Sequence, residues 1–201
     1  AVNLERARAL PAAKGRFVLV NAAAQKLFMY ENGQPVDSMR VVVGKPKYAT
    51  PMLTAMIQFA SLNPYWNVPP DLAAERIAPE VVKGGLGYLR ARGYQVLSSW
   101  DEDAHVVDPA TVDWQAVADG RVEVRVRQLP GKSNAMGQMK FMFPNQFGVY
   151  LHDTPERELL SEASRLYSGG CVRLEDAQRL ARWLFGKPLE AASDEPELPV
   201  N

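Results

Sequence analysis

The chain opens its hydrophobic pattern with strands. Residues 17–21 (FVLVN) form a short apolar run, and residues 25–30 (QKLFMY) form a second. Asn32-Gly33 follows, a pair that tolerates the positive φ of a tight hairpin. Residues 37–43 (DSMRVVV) return and end at Gly44, so the chain begins as a β meander. Residues 54–62 fit a strand or a helix, and alternation of Ala55, Ile57 and Phe59 favours the strand. Residues 94–100, 122–127, 141–143 and 147–151 are the remaining predicted strands. In VEVRVR (122–127) valine alternates with charge, the period of a sheet with one face buried and one wet.

Helical patterning is confined to a few segments. Residues 3–14 predict a short lead-in helix, and residues 72–77 and 86–92 predict short helices. Asp108-Pro109 reads as an N-cap with proline at the first helical position, opening a turn through Trp114 and Val117. The clearest helix is 175–185. Leu174, Ala177, Leu180, Ala181, Leu184 and Phe185 share a face there, Gly186 ends it and Pro188 prevents a restart. From Leu189 the chain carries Glu190, Asp194, Glu195 and Glu197 without a basic residue, which predicts a frayed tail. Pro64, Pro69, Pro70, Pro79 and the Gly84-Gly85-Gly87 cluster interrupt the β pattern. They mark an insertion on a β core, about 63–119. The expected division is a lead-in 1–15, a core 16–186 carrying the insertion, and a tail 187–201. The fold class is mainly β with a partly helical insertion and a C-terminal helix, α+β overall.

Composition narrows the function. Twenty-three basic and 23 acidic residues cancel, which disfavours an electrostatic nucleic-acid binder. No apolar run approaches the roughly 18 residues of a membrane span. One cysteine and two histidines leave no cysteine-rich zinc cluster and too few histidines for most metal sites. No phosphate-binding glycine loop or nucleotide motif is present, so the expected chemistry needs no cofactor. The chain opens at Ala1 without a methionine, which fits a processed or truncated form, and any leader would lie out of view.

The single cysteine, Cys171, follows Ser168-Gly169-Gly170. A free cysteine is on its own more often an inert small side chain. Two preceding glycines instead suit a turn that aims the Gly170 and Cys171 amides at an oxyanion. The helix opening near Glu175 would favour thiolate. His152 ends a predicted strand, where its imidazole can take the thiol proton or pair with the thiolate. Asp153 offers both a carbonyl and a carboxylate to hold the other ring nitrogen. Tyr150, two residues earlier, shares a strand face with His152; it is a candidate donor to a substrate carbonyl, or an ordinary strand tyrosine. His105, in a polar loop, reads as solvated. Papain-like order and the caspase Gln-Ala-Cys pattern are both absent.

His152, a fifteen-residue spacer and Ser168-Gly169-Gly170-Cys171-Val172-Arg173 resemble the signature of the L,D-transpeptidases, the YkuD-type domain. One position departs: Gly169 stands where many members carry a second histidine. FVLVNAAAQKLFMYENGQPV resembles the family's opening hairpin, and VVVGKPKYATP its strand–glycine–Thr-Pro element. LNPYWNVPPDLA, MGQMKFMFPNQFGVYLHDTP and SGGCVRLEDAQRLARWL resemble the longer periplasmic subtype of Gram-negative bacteria, in which a lid interrupts the catalytic β fold. The likeness runs from about Arg16 to Gly186.

The resemblance implies that Cys171 attacks the carbonyl of the third residue of a peptidoglycan tetrapeptide stem. D-Alanine leaves, and a second stem's amine resolves the thioester into a 3→3 crosslink. It implies that His152 moves the proton and that the Asp153 carbonyl orients it. It places Gly169, Gly170, Ser168 and Tyr150 around the oxyanion and substrate. Arg173 then braces the loop or meets a stem carboxylate. Tyr65 and Trp66 cover the cleft from the lid and exclude water, or anchor the insertion. It implies carbapenems as covalent inhibitors, a periplasmic location and, in members of this subtype, additional domains. An L,D-carboxypeptidase or other peptidoglycan hydrolase shares the motif, and a non-catalytic peptidoglycan-binding module is the third possibility.

Overall fold

The structure is a computed structural model and describes residues 15–201. The lead-in helix expected at 3–14 lies outside the described residues. The fold is mainly β with a few short helices, as the patterning predicts.

Strands β1 (Arg16–Asn21), β2 (Lys26–Glu31) and β3 (Gln34–Gly44) form the expected antiparallel meander. Asn32 and Gly33 turn the hairpin with φ of 51° and 80°, both positive as a two-residue hairpin turn requires. The next strands are β4 (Phe59–Leu62), β5 (Trp66–Val68), β6 (Tyr94–Leu97), β7 (Val106–Val107) and β8 (Arg125–Gln128). They are followed by β9 (Met139–Met142), β10 (Leu151–His152), β11 (Leu166–Ser168), β12 (Val172–Leu174) and β13 (Leu198–Val200). One nine-stranded sheet runs β1-β2-β3-β12-β10-β9-β4-β13, with β11 added alongside β3. A separate four-stranded sheet runs β5-β8-β6-β7.

Each sheet has its own apolar core. Leu27, Met29, Val41, Val43, Phe141, Leu151 and Leu174 fill the core of the large sheet. Helix α4 (Ala177–Phe185) covers it, buried through Ala177, Leu180 and Ala181. Asp176 caps α4 by accepting the Arg179 N–H at 2.8 Å, and Gly186 closes it at φ 74°. The second core joins Val68, Leu72, Ile77, Leu89, Trp114 and Val126. It lies against a helical run made of Pro70–Leu72, a π-helical stretch Ala73–Ile77, and α1 (Ala78–Gly84). Helices α2 (Gly87–Ala91) and α3 (Trp114–Ala118) complete it. Strand β8 of this unit lies beyond the boundary drawn near 119.

Three local expectations are corrected. The strand expected over 54–62 is reduced to β4, and Met52 and Met56 before it are largely exposed. The strand expected over 147–151 shrinks to β10, because the Asn145 amide satisfies the local backbone. It accepts the N–H groups of Phe147 and Val149 and donates to the carbonyls of Phe143 and Val149. The tail is not frayed: Leu189 is buried and β13 pairs antiparallel with β4.

Candidate active site

Strand pairing fixes the site. Beside β10, strand β12 runs parallel, with Leu151 opposite Val172 and His152 opposite Arg173. The Val172 N–H donates to the Tyr150 carbonyl at 2.9 Å, which sets Cys171 beside Tyr150. Side chains alternate across a strand. Leu151 and Val172 therefore go to the core, while His152 and Arg173 face the opposite side. Cys171, Tyr150 and His152 line one cleft of about 470 Å³, together with Ser168, Gly169, Arg173, Tyr65 and Trp66. The sulfur and the imidazole expected to meet across a groove are in the same groove. Gly170, between Gly169 and Cys171, forms the turn behind it.

The imidazole is oriented by backbone. His152 Nδ1 donates to the Asp153 carbonyl at 2.5 Å. A carbonyl only accepts, so Nδ1 carries the proton and Nε2 keeps its lone pair. The Asp153 carboxylate is occupied elsewhere, on the Arg157 guanidinium at 2.7 Å and the Gln138 N–H at 3.0 Å. Of the two acceptors Asp153 offers in sequence, the structure uses the carbonyl.

Burial pushes the His152 pKa down to about 3, helped by the charges of Arg173 and Lys140 and opposed by the carbonyls of Asp153 and Met136. Burial also raises the Cys171 thiol above its ordinary value, opposed by the Tyr150 N–H and by Arg173. The expected helix-dipole effect on the thiol is corrected here: β12 separates Cys171 from α4. Resting thiol and imidazole are thus both neutral.

His152 binds its proton more weakly in the folded chain than in the unfolded one. The unfolded chain therefore takes up more protons between pH 6.5 and about 3, and stability falls as pH drops through that window. Urea unfolding from pH 7 to pH 4 is expected to show a loss on the order of a few kcal/mol in this range. That share should vanish in His152→Gln. An unchanged pH slope in the variant would contradict the neutral, buried imidazole.

The loop before Cys171 also revises the oxyanion expectation. Ser168 Oγ accepts the Gly170 N–H at 3.1 Å and donates to the Cys171 carbonyl at 2.5 Å. A serine closing onto the amide two residues on is an ST turn. Gly170, at φ 117°, takes a backbone conformation that side-chain-bearing residues rarely adopt. Its N–H is therefore engaged, and the Ser168 hydroxyl shapes the loop. The Cys171 N–H has no acceptor among the described residues. Tyr150 is half-buried, its phenol pushed up by burial.

Gly169 has a physical explanation. A Cβ at this position would lie 2.8 Å from Leu72 Cδ1, so a side chain at residue 169 would have to displace the tip of Leu72 from the helical unit. The same unit holds the Gly44–Thr50 loop, since Tyr48 donates to Glu75 at 2.7 Å. Tyr65 and Trp66 are half-buried in the cleft wall. The Arg127 guanidinium lies 4.2 Å from the Tyr65 ring centre, and Trp66 packs on Tyr94. His105 is exposed, bonded to Ser98 at 3.1 Å.

A residue that the sequence does not single out also belongs here. Lys140 lines the cleft and is 8% exposed. Its ion pair at 2.8 Å is with Glu197, immediately before β13. Arg173, also 8% exposed, pairs with Glu156. The charged residues lining the cleft are Arg76, Lys140, Arg173 and Asp71, three cations to one carboxylate.

Residues 15–188 match the family model for the YkuD L,D-transpeptidase catalytic domain. The chain belongs to the YkuD L,D-transpeptidase family. A Haemophilus influenzae protein named "Putative L,D-transpeptidase" is 36% identical over 185 residues, covering 92% of this chain and 36% of that protein. The chain therefore spans little more than a third of the length of this curated relative. Among solved structures, an L,D-transpeptidase from Mycobacterium smegmatis matches with a TM-score of 0.39 and 16% identity, over 87% of this chain and 55% of that one. The L,D-transpeptidase LdtMt1 in complex with imipenem matches with a TM-score of 0.38 and 14% identity, over 87% and 56%. Among the described residues of this YkuD-family chain, no helix is long and apolar enough to cross a membrane.

Proposed function

We propose that the protein is a peptidoglycan L,D-transpeptidase that forms 3→3 crosslinks through a thioester on Cys171. The observation that carries this reading is a thiol and an oriented neutral imidazole lining one cleft, in a chain that matches the catalytic domain from residue 15 to 188. Cys171 Sγ attacks the carbonyl of the third stem residue while its proton passes to His152 Nε2. The Cys171 N–H, with Tyr150 beside it, receives the negative oxygen; one such donor supplies about 3–4 kcal/mol of transition-state stabilisation. The C–N bond breaks, and D-alanine leaves with the proton from His152. The amine of a second stem then attacks the thioester, giving up a proton to His152 and restoring the thiol.

Tyr65 and Trp66 limit water at the thioester, which favours transfer over hydrolysis. Arg173 braces the loop through Glu156. The reaction is proposed to take place in the periplasm. The neutral thiol favours an inhibitor that brings its own strained carbonyl, so imipenem is expected to acylate Cys171.

Product analysis tests the reading. Incubation with tetrapeptide-bearing fragments should yield a crosslinked dimer by mass, with release of D-alanine. Trimmed tripeptide without dimer would make the protein an L,D-carboxypeptidase. Folded protein that gains neither an imipenem adduct nor any product would be a binding module.

A further inference from the structure

One face of the large sheet carries a row of buried polar residues across four neighbouring strands, and Lys140, His152 and Arg173 of this row line the cleft. Ser61 on β4 is opposite Lys140 on β9. Lys140 is opposite His152 on β10, and His152 is opposite Arg173 on β12. All four are at least nine-tenths buried. Their neighbours along the strands, Ala60, Leu62, Met139, Phe141, Leu151, Val172 and Leu174, all belong to the large core. Directly opposed residues on one face of a sheet have Cβ atoms about 4.5–5.5 Å apart. His152 therefore sits between two cations, each paired with a carboxylate: Glu197 for Lys140 and Glu156 for Arg173.

We propose that Lys140 determines donor specificity by binding the free carboxylate of the stem's departing residue, and that Glu197, from the end of the chain, is its positioning residue. The inference rests on the transpeptidase reading above.

Topology gives the direction. The nucleophile is at the start of β12, the base on the next strand, and Lys140 on the strand beyond. His152 takes the proton on the Cys171 side and delivers it to the leaving nitrogen. In a terminal D-alanine the carboxylate is one carbon removed from that nitrogen. As the nitrogen reaches His152, the carboxylate comes beside the residue flanking His152 on the side away from Cys171, which is Lys140.

The chemistry of Lys140 suits this role. An ammonium has three N–H donors. Among the described residues, Lys140 Nζ donates to Glu197 alone, and its charge lies 5.7 Å from the Tyr150 ring centre. Donors remain for a ligand oxygen, in a nearly dry environment where a charge-assisted bond is strong. Arg173 is on the Cys171 side of the base.

Glu197 is held firmly for its task. Its Oε1 also accepts the Tyr65 N–H at 2.8 Å, and its Oε2 accepts the Ser61 hydroxyl at 2.6 Å. Its backbone is at φ 57°, and its N–H donates to the carbonyl of Asn63, itself at φ 48°. One carboxylate thus ties the β13 segment to the lysine, to a cleft-wall tyrosine and to the polar row.

Binding to the full chain carrying Cys171→Ala separates this inference from the transpeptidase reading. The ligands are a tetrapeptide stem with a free C-terminal D-alanine and the same stem as its C-terminal carboxamide. The acid is expected to bind about tenfold tighter or more, one charge-assisted contact. Adding Lys140→Met should remove the preference, Lys140→Arg should keep most of it, and Glu197→Gln should reduce it about threefold. A merely structural role for Lys140 would weaken both ligands and leave their ratio intact, and that result overturns the inference while wild-type crosslinking stands. An intact ratio in Glu197→Gln overturns the positioning role; if Lys140→Met does not fold, Lys140→Gln takes its place, and an intact ratio there overturns the inference. If wild type forms no product from any stem and neither ligand binds, the transpeptidase reading fails and this inference fails with it.

Discussion

Cys171→Ala is expected to abolish acylation by imipenem at pH 7, and His152→Gln to slow it severely, while the chain stays folded. The two substitutions should act differently. Cys171→Ala removes the only thiol in the chain, so no adduct forms at any pH. The loss of stem turnover should be about 10⁴-fold or more, the scale at which removing a nucleophile leaves only binding and oxyanion contributions. Cys171 is bonded only weakly, with its sulfur 4.0 Å from the Gly148 carbonyl, so little packing is disturbed.

His152→Gln keeps a donor that reaches the Asp153 carbonyl but loses the basic nitrogen. Acylation at pH 7 should fall about 10³-fold, within the range of general-base catalysis. It should then recover as pH rises, because hydroxide can ionise the thiol that burial holds protonated. The wild type should show no matching inflection near the ordinary histidine pKa, since its imidazole stays neutral down to about pH 3. Rates of adduct formation by intact mass across pH 5–10 check both points. Wild-type acylation by His152→Gln at pH 7 would remove His152 from the mechanism.

Chemistry written in short range was legible in the sequence. The meander declares itself through two apolar runs and Asn32-Gly33, and α4 through its apolar face and the Asp176 and Gly186 caps. Cys171 stands out because a thiol seldom follows Ser-Gly-Gly, and His152 because its spacing from Cys171 matches the family motif. What stayed hidden depends on pairings between distant strands. Lys140 falls just before the strand expected at 141–143, and nothing in its local pattern marks it. Only the register Ser61–Lys140–His152–Arg173 turns that position into the floor of a cleft. Glu197 reads as one more acid in a solvated tail, yet its partners lie at Ser61, Tyr65 and Lys140. The engagement of the Gly170 amide is hidden for the opposite reason. Its acceptor, Ser168 Oγ, is only two residues away, but a turn of this kind leaves no hydrophobic period to read.

Gly44→Ala is expected to cost more stability than any substitution on the cleft surface, and to weaken the active-site loop with it. Gly44 ends β3 where the chain folds back tightly. A Cβ there would lie 2.0 Å from the Tyr48 carbonyl oxygen, 2.6 Å from the Thr50 nitrogen and 3.0 Å from the Ala49 carbonyl carbon. All three are backbone atoms, so no rotamer change relieves the overlap and the 45–50 loop must move. Overpacking of this kind costs about 3 kcal/mol or more. In a chain of this size that lowers Tm by about 6–12 °C. The functional effect follows from one side chain: Thr50 Oγ1 accepts the Gly44 N–H at 2.9 Å and donates to the Gly170 carbonyl at 2.8 Å. Displacing the loop pulls Thr50 from Gly170 and frees the turn that presents Cys171. Acylation by imipenem should therefore slow even at a temperature where Gly44→Ala is fully folded. Thr50→Val should slow acylation through the same contact, with a smaller drop in Tm, because it removes the hydroxyl without forcing the backbone apart. Calorimetry and adduct kinetics on the two variants check this. If Gly44→Ala melts like wild type, the loop does not pack on Gly44 as described. If Thr50→Val acylates normally, the Thr50–Gly170 contact does not hold the nucleophile's turn.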